Sequence, residues 1–168
     1  LLQNTCEGAR VGASVKSDAY GLGLAPVART LSKAGCHTFF VATPSEGLAL
    51  RDILPDSEIV VLNGPERGQT DLFAHATLIP TLNSLEQIEI WQQRCLAEPA
   101  LTYLHIDTGM NRLGISATDV ETLIAEPARL RGVSISTLIS HLACADMPAH
   151  PMNATQLLAF QAARTPLE

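Results

Sequence analysis

Residues 11–23 read VGASVKSDAYGLG, a mostly apolar run that carries one lysine, Lys16, and opens into a loop punctuated by glycine. The small and β-branched residues around Lys16 predict a narrow strand inside a sheet that is covered on both faces. A lysine at the carboxyl end of such a strand has its charged form disfavoured by desolvation, and Schiff-base chemistry needs a neutral amine. The structural alternative is a strand-end lysine whose methylene stem reaches toward water.

The composition of the 168-residue chain is that of a soluble α/β protein. Hydrophobic residues make up 46% and aromatic residues 4%, and the formal net charge is −6. The aliphatic excess suits helices packed on a parallel sheet, and the length suits one domain with a core. No basic run is available to neutralise phosphates, so we expect neither nucleic acid nor an anionic membrane as a partner. We also expect no signal peptide and no membrane-spanning segment.

The four cysteines, Cys6, Cys36, Cys95 and Cys144, are far apart and form no C-x-x-C pair. Neither a zinc knuckle nor a redox motif is therefore predicted, and reduced thiols in a cytoplasmic enzyme are expected. The chain starts with LLQNT, which is typical of the tail of a helix, and has no initiator methionine. We expect a fragment of a longer protein.

Apolar runs and helical periodicity alternate along the chain. After the strand that ends at Lys16, strands are predicted at 38–43, 58–63, 76–82, 101–107 and 133–141. Helices are predicted at 24–34, 45–52, 84–96, 118–125 and 153–164, with Asn83 or Ser84 as an N-cap. This alternation favours parallel βαβ units, hence an α/β fold of the (β/α)₈ TIM-barrel type, incomplete at about six units. The alternative is an open doubly wound sheet, but no glycine-rich dinucleotide fingerprint follows the first strand.

Several polar residues end the predicted strands. Lys16 ends the first, Asn63 the third, Asp107 the fifth and His141 the sixth, on the face where barrel enzymes build their sites. Each has a structural alternative: Asn63 and Asp107 are good turn formers, and a lone strand-end histidine is often a core residue. The hypothesis that these residues form a functional site rests on their convergence at one face of the predicted barrel.

A metal site is the weakest interpretation of the last segment. His141, Asp146 and His150 follow the spacing H-x₄-D-x₃-H, which matches no common zinc pattern and is interrupted by prolines. We therefore predict no metal.

Three segments, in order, resemble the alanine racemase family: VKSDAYGLG at 15–23, HIDTGMNRLGI at 105–115 and SHLACADMPAHPMNATQLLAF at 140–160. The resemblance covers most of the chain. It implies that residues 1–168 are a partial N-terminal (β/α)₈ barrel domain that binds pyridoxal 5′-phosphate (PLP), with the C-terminal β-rich domain absent.

The resemblance also implies roles for individual residues. Lys16 would be the catalytic base and the residue bonded to PLP. Tyr20 would face the cofactor phosphate, Leu62 would lie against the pyridine ring, and His141 would lie near that ring.

Arg112 lies in the loop after the fifth predicted strand, and its guanidinium suits a carboxylate or a phenolate. By resemblance it would bond the phenolic oxygen of PLP and help place the substrate carboxylate, with Met110 as a second substrate contact. His105 departs from the family pattern, because many members carry there a lysine that becomes carbamylated and steadies the arginine. Imidazole cannot form that carbamate, so either an anion such as chloride lies there or Arg112 is held differently.

The implied function is PLP-dependent interconversion of L- and D-alanine, which supplies D-alanine for peptidoglycan, in a cytoplasmic homodimer. In the family the second base is a tyrosine from the C-terminal domain of the partner subunit. Tyr103 lies inside a predicted strand and does not match that context, so the isolated chain is expected to be inactive. The alternatives are a PLP-binding carrier or regulatory barrel without racemase activity, and a barrel piece ordered only by association with other chains.

Overall fold

The computed structural model describes residues 8–95 and 100–167. Within them the chain forms two compact units, one of residues 8–62 and 71–80 and the other of residues 63–70 and 81–167. The division falls inside the fourth strand, between Pro80 and Thr81. Each unit is described by itself below.

The first unit is a parallel ladder with helices. Strand β1 (Gly12–Ser14) pairs with β2 (Thr38–Val41), β2 with β3 (Glu58–Val61), and β3 with the first half of β4 (Ile79–Leu82). Helices α1 (Leu24–Lys33), α2 (Pro44–Ile53) and α3 (Thr70–His75) follow β1, β2 and β3. The largest fully buried side chains are those of Phe39, Leu50, Ile59 and Phe73.

In the second unit the other half of β4 pairs with β5 (Leu101–His105), and β5 pairs with β6 (Ser134–Ile139). Helices α4 (Leu85–Cys95), α5 (Ala117–Ala125) and α6 (Pro151–Arg164) follow these strands, with short 3₁₀ turns at Pro127–Leu130 and Thr165–Leu167. Its core contains Leu82, Ile88, Trp91, Leu104 and Leu123.

The pairing order settles the fold class. Every described strand pairs in parallel with the next strand along the chain, and each strand is followed by a helix. A doubly wound sheet would reverse its strand order at a switch point, and no reversal occurs. The predicted α/β architecture, with six βα units of an incomplete (β/α)₈ barrel, is confirmed.

The strands differ in how far they are covered. Ile59, Val60 and Val61 of β3 are all fully buried, as their continuous apolar run predicts. In β1, Gly12 and Ser14 are exposed, so the prediction of a first strand covered on both faces is wrong. The reason is its position, because among the described strands β1 pairs with β2 alone.

Helix α3 is missing from the sequence prediction, and the predicted strand at 76–82 is too long. The six residues of α3 are too few for helical periodicity to show. Thr77 adopts a left-handed φ of 51°, and Leu78 N donates to Phe73 O at 2.8 Å. Residues 76–78 therefore form the turn that ends α3, and the strand begins at Ile79.

The guanidinium of Arg51 in α2 binds loop carbonyls. Its Nε donates to Ala76 O at 2.9 Å and its Nη2 to Thr77 O at 2.8 Å. Its Nη1 donates to the carbonyl oxygens of Leu54, Pro55 and Ser57. Burial lowers the pKa of Arg51, and the charge of Asp56 partly offsets this.

The thiols of Cys36, Cys95 and Cys144 are free, and Cys6 lies outside the described residues. Burial raises the pKa of both Cys36 and Cys95, which keeps these two thiols protonated and unreactive. Over the described ranges, every helix is too short or too polar to cross a lipid bilayer.

Candidate active site

The predicted site residues follow the carboxyl ends of strands in both units. Lys16, Asp107 and His141 each lie two positions beyond the last residue of their strand, so none of them ends a strand as predicted. Carboxyl ends of parallel strands share one edge of a sheet. Lys16, Tyr20 and Leu62 therefore lie at the carboxyl edge of the first unit, and Met110, Arg112 and His141 lie at that of the second.

Lys16 begins a helical turn, Lys16–Tyr20, that is left-handed over four consecutive residues. Ser17, Asp18, Ala19 and Tyr20 have φ between 54° and 58°. A left-handed helical conformation costs non-glycine residues about 1–2 kcal/mol each, because Cβ crowds the following carbonyl. Such strain persists only where surrounding contacts hold it, and it is concentrated at functional sites.

Hydrogen bonds from both sides hold this turn. Ser17 N donates to Glu46 Oε1 at 2.8 Å, and Leu24 N donates to Asp18 Oδ1 at 2.6 Å. Ala19 is 3% exposed, and its N donates to Val15 O at 2.9 Å. The Lys16 side chain, half-buried, thus departs from a backbone that is fixed on either side of it.

Tyr20 and Leu62 complete the predicted set in the first unit. Tyr20 is 63% exposed, and its hydroxyl lies 3.1 Å from Ser14 Oγ. Leu62 is half-buried and follows β3 directly, where its N donates to Val41 O at 2.8 Å. A phenol that is largely open to solvent remains able to bind a ligand.

The loop after β5 is organised by Asp107. Its Oδ1 accepts from the N–H groups of Gly109, Met110 and Asn111 at 2.9–3.1 Å. Partial burial would raise the pKa of Asp107, but these N–H groups outweigh it and the pKa is lowered. The turn-forming role proposed for Asp107 is confirmed. Arg112, which follows Asn111 in this loop, is exposed.

The imidazole of His105 lies at the end of β5 and is 8% exposed. Its Nδ1 lies 2.8 Å from Asn83 Oδ1. Asn83 Nδ2 donates to Thr81 O and Gln87 Oε1, which fixes the amide so that its oxygen faces the ring. His105 Nδ1 is therefore the protonated nitrogen, and Nε2 keeps a free lone pair for a donor.

Burial is the main reason that the pKa of His105 is lowered. Asp107 opposes this shift, whereas His141 and Arg112 add to it, so each of these three groups lies within electrostatic reach of His105. His105, where the resemblance implies a lysine in many family members, thus carries an imidazole whose charged form is disfavoured by burial and whose Nδ1 is bonded to an amide.

Gln156 of α6 ties the loops after β5 and β6 together. Its side chain is 1% exposed and donates through Nε2 to His141 O at 2.9 Å and to Thr108 Oγ1 at 3.1 Å. Its Oε1 accepts from Ala143 N at 2.8 Å. His141 itself is exposed, so the alternative of a core histidine is wrong.

The sequence analysis does not predict three of these supporting contacts. They are those of Glu46 with Ser17, of Asn83 with His105, and of Gln156 with the loops after β5 and β6. Only Glu46 had a local signal, because Thr43 to Glu46 reads T-P-S-E and matches the capping-box pattern. Ser84 is the N-cap of α4, since its Oγ accepts from Gln87 N at 3.2 Å, and this leaves the Asn83 side chain free to turn inward.

The metal interpretation finds no donor set. Nδ1 of His150 accepts from Met152 N at 3.2 Å, which makes this ring the N-cap of α6. Over residues 8–95 and 100–167, no three His, Cys, Asp or Glu side chains are grouped as metal ligands would be.

The comparison with known proteins gives the family. A model described as the N-terminal domain of alanine racemase matches residues 1–168. This chain belongs to the alanine racemase family. The alanine racemase of Rhodospirillum rubrum is 44% identical over 159 residues, which are 93% of this chain and 42% of that protein. That of Rhizobium meliloti is 45% identical over 157 residues, 91% of this chain and 41% of that protein.

Solved alanine racemase structures have the same fold. The crystal structure of the Bartonella henselae alanine racemase with covalently bound pyridoxal phosphate superposes with a TM-score of 0.94 at 35% identity. The match covers 99% of this chain and 49% of that one. The Streptomyces lavendulae alanine racemase gives a TM-score of 0.87 at 29% identity. This chain spans about half or less of the length of the relatives it matches.

Proposed function

We propose that residues 1–168 are the PLP-binding N-terminal part of an alanine racemase, with a β-rich domain following them in the full-length protein. The full-length protein would interconvert L- and D-alanine. The observation that carries the proposal is the position of Lys16: a half-buried amine on a strained, doubly braced turn at the carboxyl edge of a parallel ladder, in a chain of this family.

The residues of the first unit fit PLP. An amine must be available to bond the cofactor aldehyde, and Lys16 takes part in neither the Arg67–Glu86 nor the Arg129–Glu126 ion pair. The Tyr20 hydroxyl beside Ser14 Oγ offers donors for a phosphate oxygen. Leu62 is apolar and half-buried, as a neighbour of a pyridine ring should be.

When bound, PLP supplies an electron sink that allows the α-proton of an amino acid to leave. Lys16 Nζ would take or return that proton on the D face, with the direction of its side chain set by the hydrogen-bonded turn that follows it. Arg112 would use its guanidinium fork for the phenolic oxygen of PLP and the substrate carboxylate, with Met110 as a second substrate contact. His141 would lie near the pyridine ring.

Racemisation needs a second base on the opposite face, because one base alone returns the proton to the face it left. Tyr103 is 4% exposed inside β5, which makes it unsuitable. We assign that base to a tyrosine of the C-terminal domain of a partner subunit. The active species is then a homodimer, and the chain alone is inactive. The D-alanine would serve peptidoglycan synthesis in the cytoplasm.

Incubation of the full-length protein with PLP and L-alanine in deuterated water tests the proposal. We expect D-alanine to appear with deuterium at Cα, and borohydride reduction to fix the cofactor on the peptide that contains Lys16. The variant K16A should lose both results. Cofactor trapped on Lys16 without deuterium exchange would indicate a PLP-binding carrier instead, and trapping at another lysine would refute the site.

A further inference from the structure

Glu46 links the cap of helix α2 to the residue after Lys16. Its Oε2 accepts from Ala42 N at 2.7 Å and from Thr43 N at 3.3 Å, just before the helix. Its Oε1 accepts from Ser17 N at 2.8 Å. Both carboxylate oxygens are used, and the second serves a segment 29 residues away.

The chain contains a second capping box for comparison. In helix α5, Ser116 and Asp119 form the same reciprocal pair as Thr43 and Glu46 in α2. Asp119 Oδ2 accepts from Ser116 N at 3.0 Å and from Ser116 Oγ at 2.9 Å. An aspartate at this position therefore closes the box, so the cap of α2 does not require a residue as long as glutamate.

The hydrogen bond from Ser17 N to Glu46 lies at the start of the strained turn. Ser17 is the first of the four left-handed residues, and it directly follows Lys16. The bond fixes the peptide that determines the direction of the Lys16 Cα–Cβ vector. A backbone N–H forms a stronger hydrogen bond with a charged acceptor than with a neutral one, so a carboxylate is well suited to hold a strained turn.

We propose that Glu46 is a positioning residue for Lys16: the carboxylate that caps α2 also holds the left-handed turn and so aims the lysine amine. The cofactor readout of this proposal rests on the proposed function, but the contact itself does not. If the carboxylate no longer reaches Ser17, the turn should loosen, PLP should attach more slowly and kcat should fall. The helix should stay capped.

Two variants of the full-length protein separate the two tasks of Glu46. The side chain in Glu46→Asp is one methylene shorter. It should keep the capping box, as Asp119 does in α5, and lose the hydrogen bond from Ser17 N. Thr43→Ala removes the threonine side of the same box and keeps the contact between Glu46 and Ser17. The second variant is the matched control, because it weakens the same helix end without touching the lysine turn.

The first readout needs no cofactor. Hydrogen exchange of the Ser17 amide, measured on the protein before PLP is added, should be about tenfold or more faster in E46D than in wild type. The same amide should exchange at the wild-type rate in T43A. The melting temperature should fall in T43A and stay close to wild type in E46D.

The second readout is the site itself. In E46D we expect slower borohydride-trappable attachment of PLP to Lys16 and a kcat lowered about 10- to 100-fold, the range expected when a catalytic group is misplaced. T43A should keep wild-type attachment and kcat. An E46D variant equal to wild type, or one that loses stability and kcat together with T43A, would overturn the positioning role. Failure of the wild type to attach PLP would instead refute the proposed function, and the exchange rate of Ser17 would still decide the role of Glu46.

Discussion

His105 Nδ1 donates a hydrogen bond to Asn83 Oδ1 across 2.8 Å, and both side chains are 8% exposed. A ring in this environment is held neutral, because protonation would place a charge where water is largely excluded. The pKa of His105 is accordingly lower in the folded protein than in the unfolded chain.

This shift makes stability depend on pH in a defined direction. Between the folded and unfolded pKa values of His105 the unfolded chain binds more protons, so the contribution of the ring is complete above about pH 6.5 and is lost as the pH falls below it. We expect the free energy of unfolding in urea to drop more between pH 7.5 and 5.0 in wild type than in H105Q. An equal drop in H105Q would contradict the assignment.

Gly64 and Gly68 form a matched pair, since both have left-handed φ values, 73° and 81°. A Cβ at Gly64 would collide with Thr81 O and the side chain of Gln87, whereas at Gly68 nothing lies within 4 Å. We expect G68A to cost about 1 kcal/mol of backbone strain and G64A about 1–3 kcal/mol more from crowding. Urea denaturation measures both, and equal losses would show that the Gly64 loop relaxes freely.

The guanidinium of Arg51 serves five carbonyl groups, and a lysine ammonium has only three donors on a single nitrogen. The substitution R51K keeps the charge but leaves carbonyls unpaired, and we expect it to lower the free energy of unfolding by about 2 kcal/mol. Chemical denaturation gives the value. The exposed Arg29 is the control, and R29K should change stability by less than about 0.5 kcal/mol; similar effects of the two would mean that charge alone matters at Arg51.

Helix α2 offers a test of its buried face. Leu50 is fully buried, whereas Leu48, on the same helix, is 37% exposed. We expect L50A to cost about 2–5 kcal/mol and L48A much less, because a cavity is left only at the first position. Both variants have the same intrinsic helix preference, so the difference in urea midpoint reports packing. A loss in L48A as large as that in L50A would place Leu48 in an interface.

The fold could be predicted from the sequence because its strands and helices are marked by residues that lie close together in the chain. The run Ile59 to Val61 is apolar and β-branched, and Gly35 ends α1 with a φ of 91°. The predicted ends of the third and fifth strands fall two residues too late, because Asn63 and Asp107 belong to the loops that follow. The role of Asp107 as a turn former was also predictable, since its carboxylate accepts from N–H groups two to four positions ahead.

The supporting contacts of the site could not be predicted in the same way. Ser17 meets Glu46 across 29 residues, and Asn83 meets His105 across 22. Left-handed φ values at Ser17 to Tyr20 run against the preference of each residue, so tertiary bonds must impose them. Neither kind of contact has a periodic sequence signal.

The distance in sequence between Ser17 and Glu46 also orders events during synthesis. Domains begin to fold as the chain emerges from the ribosome, amino-terminal residues first. When VKSDAY leaves the exit tunnel, the carboxylate that braces it has not yet emerged, and the turn can only fluctuate among ordinary backbone conformations. The lysine therefore acquires its direction only after helix α2 has been released, although its own segment is among the first to emerge.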